Sequence, residues 1–273
     1  MTFGKRLHDA IAARGPLCAG IDPHASLLGE WGLGDDVAGL ERFAMTAVEG
    51  LAPHVSVIKP QSAFYERFGS RGVAVLERVI ADSRAAGALV LLDVKRGDIG
   101  STSQAYADAY LDPASPLAAD AVTVSPYLGF GSLTPFVETA ARFDAGLFVL
   151  ALTSNKEGPE VQRATTDSGE TVAERMFAHL AELNHDASPL GSYGAVVGAT
   201  IGTASDLGAG TSLDFNGPIL APGFGEQGGT PADIKRIFGD LPVLPSSSRG
   251  LLRRGPDARA LRDAALATND ELR

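Results

Sequence analysis

The chain has 273 residues, about the length of one closed α/β barrel. Apolar residues make up 45% and charged residues 21%, so a large core can be buried and wholesale disorder is excluded. With 33 acidic against 23 basic residues the net charge is −10, which argues against a broad nucleic-acid surface but not against a small anion held by local donors.

The first element, MTFGKRLHDAIAARG, reads as a short amphipathic helix stopped by Gly15, without the apolar stretch of a signal peptide. Cys18, the single cysteine, lies in the apolar run PLCAGID; an intrachain disulfide is impossible and a buried core thiol is expected. Nothing approaches the run of about eighteen apolar residues that a membrane helix needs, so the expectation is a cytoplasmic protein with no membrane partner.

Short apolar runs then alternate with helical patterns along the chain, the form taken by repeated βα units. The expected strands are Leu17–Ile21, Val55–Ile58, Ala88–Leu92, Ala121–Val124, Leu147–Leu152, Ala195–Gly198, Pro218–Ala221 and Pro242–Leu244. They are continuously apolar, as strands covered on both faces should be. Between them, SRGVAVLERVIADSRAAG places Val73, Leu76, Val79 and Ile80 on one helical face, and Ser168–His185 reads as a longer helix. TPADIKRIFG opens with an N-cap threonine and a proline in the first turn. Eight such units predict an α/β protein, a (β/α)8 TIM barrel forming a single domain over residues 1–273, with a doubly wound open sheet as the alternative.

Reactive groups in a parallel barrel gather at the carboxyl ends of the strands. Here each strand end brings a polar residue to that rim: Asp22, Lys59, Asp93 with Lys95, Ser125, Ser154, Thr200, Gln227 and Arg249. The stretch PGFGEQGG offers backbone N–H groups just before a helix opening at Thr230, and Arg249 follows the eighth strand. Loops seven and eight are where barrels commonly hold phosphate, so this pair reads as an anion grip rather than as turn glycines and a surface arginine. The third strand end is the densest: from Asp93 to Asp98, six residues carry four charges, Asp93, Lys95, Arg96 and Asp98. Asp93 and Lys95 are two apart and should point the same way, beside Lys59, while Arg96 should point away. A fixed ammonium next to a carboxylate suits destabilisation of an anionic group and protonation of a carbanion; the plainer alternative is an ion-pair network closing the rim.

The series Asp93, Lys95, Asp98, Ile99, Thr102 resembles the signature Asp-x-Lys-x-x-Asp-Ile-x-x-Thr of the orotidine 5′-phosphate decarboxylase family. CAGIDPH, KPQSAF, VVGAT, PGFGEQGG and SSSRG resemble the longer bacterial branch of that family in the same order. The resemblance implies a barrel with no cofactor and no metal, acting on orotidine 5′-monophosphate. It implies a charged tetrad of Lys59, Asp93, Lys95 and Asp98, in which Lys95 protonates C6 and Asp93 faces the departing carboxylate. Asp22 and Lys59 would lie near the ribose, Ser154 would meet the pyrimidine amide edge, and Gln227 and Arg249 the phosphate. Asp98 and Thr102, with Ile99 of the same motif, would belong to a site shared across a homodimer. The tyrosine that the shorter branch carries near the phosphate-loop glutamine is absent from GEQGGTP. The alternatives are a magnesium-dependent keto-sugar-phosphate aldolase or decarboxylase, a Schiff-base aldolase using Lys95 or Lys59, and a non-catalytic nucleotide-binding barrel.

Overall fold

The computed structural model describes residues 1–201, 212–225 and 228–272. Eight parallel strands close on themselves in chain order: β1 Cys18–Ile21, β2 Val57–Pro60, β3 Leu89–Arg96, β4 Ala121–Val124, β5 Gly146–Leu152, β6 Tyr193–Val197, β7 Ile219–Pro222 and β8 Val243–Ser247. Closure is made by β8 pairing with β1, Cys18 opposite Ser246 and Ala19 opposite Ser247, so the open sheet is ruled out. Helices follow the strands around the outside, including Val37–Leu51, Gly69–Ala85, Gly100–Leu111, Thr134–Arg142, Val172–Asn184, Pro231–Phe238 and Ala258–Leu272.

The strand positions follow the expected runs, and the edges differ for a physical reason. Continuous hydrophobicity reports burial, whereas a strand is a run of ladder bonds. Val55 and Ser56 are buried but precede the β2 ladder, which runs on through Lys59 and Pro60. β3 likewise continues past its apolar stretch to Arg96, which pairs in register with Val124. The helix expected from Ser168 starts at Val172, because Thr171 caps it: its hydroxyl accepts the Glu174 N–H, and the Glu174 carboxylate accepts the Thr171 N–H.

The barrel has two cores. The outer one lies between strands and helices, with Ile58, Val90, Val122, Val149 and Val197 facing Leu40, Phe43, Val79, Phe136 and Leu180. The inner one is built from Cys18, Val57, Leu91, Ala121, Phe148, Val196, Leu220 and Leu244, one residue from each strand. Phe3 and Leu7 of the N-terminal helix Phe3–Arg14 join this inner cluster and stopper the end away from the rim. Gly146 makes room for the stopper: a Cβ there would lie 2.2 Å from the Phe3 ring. Among the described residues no helix is long and apolar enough to cross a membrane.

Candidate active site

Strand side chains alternate between faces, so the residues two above the inner core point into the mouth of the barrel. Val57 is followed by Lys59 and Gln61, Leu91 by Asp93 and Lys95, Ala121 by Thr123, and Leu244 by Ser246 and Ser248. Together with Asp22 these residues line a cavity of about 410 Å³ over a floor that includes Leu150, Val196, Leu220 and Pro222. A floor of apolar side chains under a ring of polar ones suits a flat ligand with a few fixed polar contacts.

Lys59 and Asp93 are both nearly buried, at 5% and 7% exposure. The Lys59 ammonium donates to Asp93 Oδ2 at 3.2 Å, and the Lys95 ammonium donates to Asp93 Oδ1 at 2.6 Å. Thr123 Oγ1 donates to the same Oδ1 at 2.7 Å. Burial alone would raise the Asp93 pKa, but the two lysines and these hydrogen bonds outweigh it and bring it down to about 2. Burial would likewise discharge Lys59; the nearby Asp22 and Asp93 carboxylates reverse that and hold its pKa above the ordinary lysine value. Lys59 and Asp93 are therefore both ionised near neutral pH. Asp22 Oδ1 and Ser248 Oγ are buried without a hydrogen-bond partner among the described residues, two polar atoms suited to a ligand hydroxyl.

Ser154, Asn155, His24 and Arg249 also line the cavity. His24 packs edge-on against Phe64 at 4.2 Å. Asp98, Ile99 and Thr102 do not reach it. The Asp98 carboxylate accepts its neighbour's Ile99 N–H at 2.8 Å, Thr102 is exposed, and the Ile99 side chain is 63% exposed. Ser125 and Thr200 are absent from the lining as well. Arg96 points away as expected, pairing with Glu66 at 2.6 Å and lying over the Tyr106 and Tyr110 rings. Gln227 lies outside the described residues.

The anion grip differs from expectation in one part. The helix Pro231–Phe238 caps its own first turn: Asp233 accepts the Thr230 N–H at 3.0 Å, Thr230 Oγ1 accepts the Asp233 N–H at 3.1 Å, and Pro231 has no N–H to offer. Hydrogen bonds from Thr230 and Arg236 hold the Asp233 pKa down at about 2, so an ionised carboxylate stands at that helix end. Of the residues expected to hold an anion, Gly223 of the glycine turn and Arg249 line the cavity. Gly223 and Gly225 of that turn, at φ 95° and 77°, adopt a left-handed backbone that side chains resist.

Thr123, Gln61, Ser246 and Ser248 were missed from sequence. Thr123 had a signal: it is the one polar residue in the strand Ala-Val-Thr-Val, and it stands two beyond an inward alanine. The serines were hidden because a run of three gives no phase by itself. Among the described residues no group of three or more His, Cys, Asp or Glu side chains could hold a metal ion.

A family model described as orotidine 5′-phosphate decarboxylase / HUMPS family matches residues 15–264. The chain belongs to that family. A curated orotidine 5′-phosphate decarboxylase from Nocardioides sp. is 71% identical over 276 residues, covering 99% of this chain and 98% of the relative. One from Streptomyces coelicolor is 62% identical over 265 residues, covering 96% and 94%. A solved structure from Streptomyces avermitilis superposes with a TM-score of 0.96 at 62% identity, covering 99% of this chain and 94% of that one. Within the orotidine 5′-phosphate decarboxylase / HUMPS family, the Asp93–Lys95 stretch of this chain is thus a rim of alternating charge at the mouth of a closed barrel.

Proposed function

We propose that this chain, acting as one catalytic domain, converts orotidine 5′-monophosphate to uridine 5′-monophosphate and carbon dioxide by side-chain chemistry alone. The observation that carries the reading is the Lys59–Asp93–Lys95 array, hydrogen-bonded together and lining the cavity. The substrate carboxylate sits beside Asp93, where like charges oppose each other. As the bond from C6 to the carboxyl carbon breaks, its electron pair stays on C6 and carbon dioxide departs, relieving that repulsion. The Lys95 ammonium then gives its proton to C6, and solvent restores the proton, since the side chain is 44% exposed. Asp22 and Lys59 hold the ribose, Ser154 the pyrimidine amide edge, and Arg249 with Gln227 the phosphate.

The shared-site assignment draws support from what lies outside the cavity. Ile99, Tyr127 and Leu128 are exposed at 63%, 76% and 53%, on loops that follow the neighbouring strands β3 and β4. A second copy of the chain covers this patch and receives Asp98, Ile99 and Thr102 at its own cavity, making a homodimer. The magnesium-dependent aldolase is disfavoured by the donor set: Asp93 has ammonium groups on both oxygens, and Lys59 stands at the second strand where a carboxylate ligand would be needed.

Incubation of the pure protein with orotidine 5′-monophosphate should lower the ultraviolet absorbance of the substrate as uridine 5′-monophosphate forms. The rate should be unchanged by a chelator and by borohydride. Binding without turnover would leave a nucleotide-binding barrel; loss of activity with chelator would restore the metal-dependent reading, and trapping by borohydride the Schiff-base one.

A further inference from the structure

Thr123 is 1% exposed, and its hydroxyl takes part in two bonds at once. Oγ1 donates to Asp93 Oδ1 at 2.7 Å and accepts the backbone N–H of Lys95 at 2.9 Å. The directions are forced, because a backbone N–H can only donate and an ionised carboxylate can only accept. The site of this contact is irregular. The register between β3 and β4 slips between Leu92 and Arg96, and Lys95 within the slip has φ +46°, a left-handed value rare for a side-chain-bearing residue. Such a backbone persists only when its surroundings hold it there. The Lys95 N–H inside the slip is met by the Thr123 side chain.

We propose that Thr123 is a positioning residue for decarboxylation: its single hydroxyl fixes the Asp93 carboxylate and the Lys95 backbone relative to each other. Both groups then face the same region of the cavity, the carboxylate against the departing group and the ammonium within reach of the carbon it leaves. The bland alternative is a satisfied core hydroxyl that contributes only to stability. This inference rests on the assignment of Asp93 and Lys95 to the chemistry.

The test compares Thr123→Val, which keeps the shape, and Thr123→Ala, which removes it, with Thr123→Ser, which keeps the hydroxyl. Turnover and the dissociation constant of uridine 5′-monophosphate are measured for each. A hydrogen bond to a charged group is worth about 10- to 100-fold, so kcat should fall by roughly that factor in the valine and alanine variants, with product affinity within about threefold of wild type. The serine variant should stay within about threefold of wild type in kcat. Loss of a donor to Asp93 should also move the acid limb of kcat to higher pH in the valine and alanine variants only. Wild-type kcat in the valine variant, or a serine variant as impaired as alanine, overturns the inference. If the valine variant does not fold, alanine against serine makes the same comparison, neither being larger than threonine. Lys95→Ala is run alongside. If it keeps turnover, the assignment of Lys95 fails and Thr123 with it; if it is inactive while all three Thr123 variants are unimpaired, only the Thr123 inference fails.

Discussion

Lys95 pairs a solvent-reachable ammonium with a backbone in the left-handed region, so a proton given up in the proposed role would be renewable while the root of the side chain is fixed. Lys95→Ala should lower kcat by about 100- to 10,000-fold, the usual contribution of a general acid, while uridine 5′-monophosphate still binds. Turnover within tenfold of wild type would remove the proton donor assignment. Asp93 makes a second prediction, through stability. Its folded pKa of about 2 lies below the ordinary carboxylate value, so its contribution is fully present above that ordinary value and is lost as pH falls towards 2. The difference amounts to about 2 kcal/mol, and it shares the Lys59 attraction that also raises the lysine pKa, so it is counted once. The stability gap between wild type and Asp93→Asn, followed by urea unfolding from about pH 5 to about pH 3, should therefore shrink with acid. A gap that stays constant would mean that folding does not lower the Asp93 pKa. Lys59, Asp93 and Lys95 were legible because charge at the end of an apolar run contradicts its surroundings. Thr123 left a fainter signal, since threonine is at home in strands, and its contact with the Lys95 N–H depends on the slip between β3 and β4.

At the level of elements, sequence pattern placed every strand but could not see where β3 leaves regularity. The period-two expectation put Lys95 on the same face as Asp93, and the two side chains do meet. They meet through a bulge rather than an extended strand, and no residue type announces it. The glycine turn after β7 was legible from its composition, whereas the self-capping of Pro231–Phe238 depended on Asp233 turning back on Thr230. With the Asp233 carboxylate at that helix end, the proposed phosphate contact would depend more heavily on Arg249. Arg249→Ala should cut kcat/KM for orotidine 5′-monophosphate by about 100-fold, the worth of a charged pair of hydrogen bonds. Decarboxylation of the phosphate-free nucleoside should change little. Equal damage to both would make Arg249 structural.

For the whole molecule, the separation of Lys95 from Asp98 makes the proposed homodimer testable by complementation. If Lys95 serves its own site and Asp98 the partner's, Lys95→Ala and Asp98→Ala homodimers should each be nearly inactive. In a mixed dimer, one site carries both lesions and the other none, by the symmetry of the pair. Co-refolding equal amounts makes about half the dimers mixed, so activity should return to about a quarter of wild type. No recovery despite demonstrated subunit exchange would place Asp98 in its own chain's site or in none. Closure of the barrel was expected from the count of eight βα units, but only the β8–β1 pairing decides it, because an open sheet offers the same local pattern.

The inner cluster also makes the enzyme a timekeeper of its own unfolding. Cys18 is fully buried beneath Lys59, walled in by the strands and stoppered by Phe3 and Leu7, and burial pushes its thiol up to about 12. No thiol reagent can reach it until the staves of the barrel part, and there is no other cysteine to compete for reagent. Slow alkylation under native conditions should therefore count rare whole-barrel openings. A ligand held only by the closed form at about 100 times its dissociation constant should slow that clock about a hundredfold. Saturating uridine 5′-monophosphate that leaves the alkylation rate unchanged would mean that Cys18 is reached by a local leak at the foot of the barrel, beside the Phe3 helix, while the nucleotide-binding mouth stays shut.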